Sequence, residues 1–137
     1  MNTPAISAQD QKQVIKLVTE FFREKAPDDQ AVDLALGQLA TLIRMPGNKL
    51  VHLGQNVFLV MVKGQGQTEV HNVSLVRNYT KFRTNLQKLI NYLKGIDVSH
   101  AIIQDEDRYM ERALKSLKLD YQKGAGQDGN YTYSVEI

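Results

Sequence analysis

Glu69 and His71 stand two residues apart in the run Thr-Glu-Val-His-Asn, which has the texture of a strand. A period of two puts their carboxylate and imidazole on one face, an arrangement in which the acid can orient the base for proton abstraction. They are the candidate catalytic residues, and His71 is the histidine best placed to face a cleft. A half-buried structural pair is the plainer role. A second group is cationic: Arg77, Lys81, Arg83 and Lys88 gather at the start of a predicted helix, where the dipole favours an anion. Arg77 and Lys81 are therefore candidate phosphate-holding positions. The plainer reading is a solvated helix face, on which Lys81 and Lys88 lie with Asn85.

Other chemistry is poorly served. His52, His71 and His100 are isolated from one another and the chain has no cysteine, so no metal site is expected. Asp105, Glu106 and Asp107 read as the start of a helix, where carboxylates are stabilised. Tyr131 and Tyr133 alternate with Val135 and Ile137, which makes them core-facing strand residues before they are a stacking platform for bases. Seventeen basic against fifteen acidic side chains leave a net charge of +2, too small by itself to point to nucleic acid or to an anionic membrane. No apolar run has the length of a membrane span, and the first residues lack the pattern of a secretion signal. A cytoplasmic protein is the expectation.

The elements that must position these groups follow from periodicity. Ser7 and Asp10 open a helix whose stripe is Val14, Leu17, Val18, Phe21 and Phe22. Pro27 and the Asp28-Asp29 pair end it and start another, with Val32, Leu36, Leu39, Ala40 and Ile43 as its apolar face. Strands are predicted over 49–53, 57–62 and 68–76 and read as an antiparallel meander, although Asn72 and Ser74 blur the faces of the third. A helix over 79–94 buries Phe82, Leu86, Leu89, Ile90 and Leu93 and ends on Gly95. A strand over 98–104 follows, then a helix capped by Asp105 with Tyr109, Met110, Ala113, Leu114 and Leu117 inward. A hairpin of 119–123 and 131–137, turning through the glycines of 124–129, completes a single domain over 1–137.

The order α-α-β-β-β-α-β-α-β-β resembles that of the GCN5-related N-acetyltransferases (GNAT) without their usual first strand, most clearly from Thr68 onward. The resemblance implies an α/β (α+β) fold with a mixed, mostly antiparallel sheet flanked by helices and a last strand in the sheet interior. It also implies an acyl-CoA site where a strand hands over to a helix, on the pattern Gln or Arg, two residues, Gly, one residue, Gly or Ala. Here that stretch reads Arg77-Asn78-Tyr79-Thr80-Lys81-Phe82: Arg77 fits, while Thr80 and Phe82 replace the small residues that admit a pyrophosphate. The family's general-acid tyrosine falls on Leu114, which has no proton to give, and its Gly-aromatic pair falls on Lys118-Leu119. Segments 77–83 and 109–121, with Ala113-Leu114-Lys115-Ser116-Leu117 as the equivalent helix, are similar in texture to small internal virion proteins of short-tailed phages.

The expectation is a non-catalytic, degenerate GNAT-like domain that acts through protein–protein contacts. It would need no cofactor, would have a virion or host protein as partner, and would reside in the cytoplasm or the virion. Nucleic acid is not the expected partner. The alternative is an acyl-CoA-dependent N-acetyltransferase holding acetyl-CoA through Arg77, Lys81 and backbone groups, with Glu69 or His71 as base, since in this family a base often comes from that strand. A second alternative is a small nucleic-acid-binding protein using the helix that begins after Arg77.

Overall fold

The computed structural model describes residues 8–106, 108–126 and 129–137; Ser7, Asp107 and part of the 124–129 turn lie outside these. Two helices, α1 (Ala8–Lys25) and α2 (Asp29–Ile43), precede the three-stranded meander β1 (Asn48–Leu53), β2 (Asn56–Gly64) and β3 (Gln67–Asn72). Then come α3 (Tyr79–Gly95), β4 (His100–Asp105), α4 (Met110–Ser116), β5 (Tyr121–Ala125) and β6 (Tyr131–Glu136). The strands form one sheet in the order β1-β2-β3-β4-β6-β5. Every neighbouring pair is antiparallel except β3 and β4, which run parallel over Gln67–His71 and His100–Gln104. The expected mixed, mostly antiparallel sheet is present, and β6 is interior as anticipated.

Helices cover both faces. Val14, Val18 and Leu39 of α1 and α2 pack on Val57, Leu59 and Met61. Phe82, Leu86, Leu89 and Leu93 of α3 join Met110, Ala113 and Leu114 of α4 on the opposite face, over Phe58, Val60, Val70, Ile103, Tyr133 and Val135. Successive residues of β2 thus enter different cores, which is why its sequence is continuously apolar rather than alternating. The start of the parallel pair is fastened at Gly66: its carbonyl accepts from the Ser99 and His100 N–H groups at 2.7 and 3.0 Å. Its φ is +75°, and a Cβ there would lie 2.7 Å from the Ser99 Oγ, so only glycine fits.

Several element boundaries differ from the sequence expectations. The third strand stops at Asn72 rather than 76, and the last hairpin begins at Tyr121 rather than 119. Asp28 does cap α2, accepting from the Ala31 N–H at 2.8 Å. Asp105 does not cap α4, which starts only at Met110 with no side-chain cap; Asp105 is the buried last residue of β4. Gly95 is still helical, and the left-handed residue after α3 is Asp97 at φ +62°, a conformation that the short polar side chain of Asp tolerates. Asn85 is buried against Asn56 rather than solvated with Lys81 and Lys88. Tyr133 is in the core, but Tyr131 is 41% exposed.

The α4–β5 contact is polar. The Tyr121 hydroxyl donates to the Glu111 Oε2 at 2.8 Å, and the Lys123 Nζ lies 3.4 Å from Oε1. Together with Lys115 they hold the Glu111 carboxyl below its ordinary pKa, the Tyr121 hydrogen bond contributing most. A depressed folded-state pKa stabilises the fold above the unfolded value and is lost as pH falls through the folded one. Tyr121→Phe should therefore lower the melting temperature at neutral pH more than at a pH where Glu111 is protonated. Equal shifts at both would show that the contact carries no charge-linked stability. For β6, removing residues 130–137 takes Tyr133 and Val135 out of the core and opens the sheet between β4 and β5. Loss of soluble expression is the expected result, and a soluble truncated chain with a cooperative transition would contradict it.

Candidate functional site

The site is a gap between two strands. Past the His71–Gln104 pairing, β3 and β4 stop exchanging backbone hydrogen bonds. Their ends, with the C-terminal turns of α1, line a cleft of about 650 Å³ whose walls include Phe21, Phe22, His71, Ser74, Gln104 and Arg108. That volume is in the range of small-molecule sites.

A chain leaving a sheet exposes backbone groups that must find other partners. The Val73 N–H still reaches the Val57 carbonyl at 2.9 Å. The Val57 N–H has no strand carbonyl left and donates to the Ser74 Oγ at 2.9 Å. The Ser74 hydroxyl donates in turn to the Asn72 Oδ1 at 2.7 Å and accepts from the Asn56 Nδ2 at 3.3 Å. Asn85 of α3 donates to the Asn56 Oδ1 at 2.7 Å, and Asn72 donates across the gap to the Asp105 Oδ1 at 3.0 Å. All five residues are buried. The result is a continuous polar chain from α3 to the end of β4 that ties the two strand ends together. Farther out, the Arg108 Nη1 donates to the Val76 carbonyl at 3.2 Å, and Lys25 pairs with Glu106.

Glu69 and His71 meet as their spacing implied. The His71 Nε2 donates to the Glu69 Oε1 at 2.9 Å, and the same oxygen accepts from the Gln104 Nε2 at 3.2 Å. With Nε2 carrying the proton, the Nδ1 of a neutral His71 is the proton acceptor, and His71 is the member of the pair that lines the cleft. The other candidates are split. Thr80 and Lys81 line a separate hollow of about 300 Å³ beside the β1–β2 turn. Arg77 pairs with Glu20 of α1 at 3.8 Å and shares with Lys81 only a small hollow of about 10 Å³. Phe82 and Leu114 are fully buried, so neither the cofactor-loop position nor the general-acid position faces the cleft. His52 and His100 have separate partners, the Gly54 carbonyl and the Ser134 hydroxyl. Among the described residues no group of three metal-ligating side chains converges.

The start of α3 is capped by Asn78. The Asn78 side chain accepts from the Lys81 N–H at 2.9 Å, and its carbonyl accepts from the Phe82 N–H at 3.0 Å. Sequence reasoning missed Asn56, Asn72, Ser74, Asn85 and Asp105 as a unit. Their signal was the polar interruption of an otherwise apolar third strand, which registered only as a blurred face. Ser74→Ala should strand the buried Val57 N–H and an Asn56 donor, at a cost of about 1–3 kcal/mol. A denaturant titration measures it, and an unchanged midpoint would mean that water replaces the hydroxyl without loss.

No protein-family model matches the chain, and no curated protein matches it in sequence. Solved structures do. The PaiA N-acetyltransferase of Thermoplasma acidophilum, in complex with coenzyme A, superposes with a TM-score of 0.58 at 6% identity over 96% of this chain and 95% of that one. Aminoglycoside 6'-acetyltransferase type Ii does so with a TM-score of 0.58 at 12% identity over 99% and 92%. Likeness at such identities speaks for architecture and not for chemistry, and the architecture is that of the GCN5-related N-acetyltransferases.

Proposed function

We propose that the chain is a GNAT-fold module that works by protein contact and does not transfer acetyl groups. One observation carries the reading: several polar backbone groups between β3 and the first turn of α3, the Lys81 N–H at the helix start among them, are already used within the chain. Val73 and Ser74 spend their N–H groups on the Val57 carbonyl and the Asn72 side chain, Lys81 on Asn78, and the Val76 carbonyl accepts from Arg108. A pyrophosphate at this helix start would have to displace the Asn78 cap and pass the Thr80 side chain. Losing two charge-assisted hydrogen bonds, at about 1.5–3 kcal/mol each, takes a micromolar ligand to the millimolar range. Contact through the surface is the remaining mode. Ile15, Leu34 and Met45 support it, since each is more than half exposed on or just beyond α1 and α2. The resemblance to internal virion proteins suggests a virion or host protein as the partner.

A second reading is favoured by one different observation: His71, held by Glu69, lies on the wall of a cleft large enough for a small molecule. In an acyl-CoA N-acyltransferase the amine nitrogen would attack the thioester carbonyl, His71 Nδ1 would take the amine proton, and the thiolate of CoA would leave.

Calorimetric titration with acetyl-CoA and with CoA separates the two. The expected result is no saturable binding. A dissociation constant below about 50 μM, some 5.9 kcal/mol of binding free energy, would overturn the non-catalytic reading, and His71→Ala should then lower turnover by about 10²–10⁴-fold. If binding is absent, Thr80→Gly should regain little affinity, because the Asn78 cap persists. A large gain would assign the obstruction to side-chain bulk alone.

A further inference from the structure

The net charge of +2 conceals an uneven distribution of charge along the chain. Between Glu69 and Asp97 the sequence has no acidic residue, and α3 carries Lys81, Arg83, Lys88 and Lys94. Across the sheet α1 mixes both signs, with Asp10, Glu20 and Glu24 among its lysines and Arg23. Three guanidiniums, Arg83 and Arg112 on the α3–α4 side and Arg108 on the cleft wall, stand close to two tyrosines, each held by a contact of its own. Arg112 lies over the Tyr79 ring, 3.8 Å from its centroid, and Tyr79 meets Tyr109 edge-on at 5.7 Å. The Arg83 Nε donates to the Ser116 Oγ at 2.6 Å. Arg108 is fixed through the Val76 carbonyl and lies 5.7 Å from the Tyr109 ring. Tyr79 and Arg83 are four apart on α3, as are Arg112 and Ser116 on α4, so the two contacts stack like rungs across the helix pair.

We propose that the outer face of α3 and α4, together with Arg108 on the adjoining cleft wall, docks the phosphate backbone of a nucleic acid, with Arg83, Arg108 and Arg112 as its anchoring cations. Like charges gathered on one face repel one another unless a counter-anion meets them. Among the described residues Arg77 has a carboxylate partner in Glu20, whereas Arg83, Arg108 and Arg112 are in no ion pair. A guanidinium held at Nε or stacked on a ring keeps terminal N–H groups for a phosphate and loses little freedom on binding it. The cations do not converge on one point. Lys81, Arg83, Lys88 and Lys94 extend the charge along α3, whose length of roughly 25 Å spans about seven phosphates of one strand, a distribution suited to a polymer. Recognition through phosphates alone would be independent of sequence.

Fluorescence anisotropy with a labelled DNA duplex of about 30 base pairs, at about 50 mM salt and upward, is the test. Saturable binding is expected, with a log–log salt slope near −3 for three phosphate contacts. The Arg83→Gln/Arg112→Gln double variant should bind more weakly and flatten the slope by about two. A Lys12→Gln/Arg44→Gln control on the α1–α2 side should change neither, and melting curves establish that both variants are folded. Absence of binding at the lowest salt, or a slope unaltered in the arginine double variant, would overturn the proposal. Equally tight binding of polyglutamate would overturn it in favour of an acidic polypeptide.

Discussion

The departure of β3 from the sheet depends on a single buried run of side-chain hydrogen bonds, Asn85 to Asn56 to Ser74 to Asn72 to Asp105. Without it the Val57 N–H would face the protein interior with no acceptor, and the diverging ends of β3 and β4 would have nothing to hold their separation. Each donor and acceptor of the Ser74 hydroxyl is occupied, so the run tolerates neither a missing member nor a protonation change at little cost. It also explains why the cleft has a fixed floor: one end is anchored in α3, the other in the last residue of β4.

That same economy shapes what the cleft can do. A fold of this kind acquires chemistry from groups left unsatisfied and aimed at a ligand. Here the segment from Val73 to Phe82 has turned many of those groups inward, onto Val57, Asn72 and Asn78. What remains directed outward is different in character: an imidazole oriented by a carboxylate on the cleft wall, and guanidiniums ranked on the far side of the sheet. Architecture shared with two acetyltransferases is compatible with either emphasis, because catalysis belongs to the site and not to the scaffold.

Much of the architecture was legible in the residues. The stripes of α1, α2 and α3, the Asp28 cap, the apolar run of β2 and the alternation of β6 each follow from local periodicity, and each element is found, although Ile43 of α2 and Tyr131 of β6 are exposed rather than inward. Boundaries failed where long-range partners decide them. Asp105 has the composition of a helix cap, but Asn72, thirty-three residues earlier, makes it a strand end. Asn85 sits among helix positions that look solvated until Asn56 is brought beneath it. The Glu69–His71 contact was foreseeable because it is local to one strand. The rung-like packing of Tyr79 with Arg112 and of Arg83 with Ser116 joins residues thirty-three apart on two helices, and a count of total charge cannot register it.

The strand order carries a consequence for how the chain reaches this state. The sheet is two locally connected halves, the meander β1-β2-β3 and the group β4-β6-β5, and their strands meet only along the short parallel seam from Gln67 to His71. Parallel pairing needs a crossover and closes a long loop, which is entropically slow. The crossover, α3, is also the splint: Phe82, Leu86, Leu89 and Leu93 share one core with Phe58, Val60 and Val70 of the first half and with Ile103, Tyr133 and Val135 of the second. The face that each half turns toward α3 stays uncovered until that helix lies across both, although α1 and α2 cover the other face of the meander. The two halves accordingly gain the stability of this shared core together.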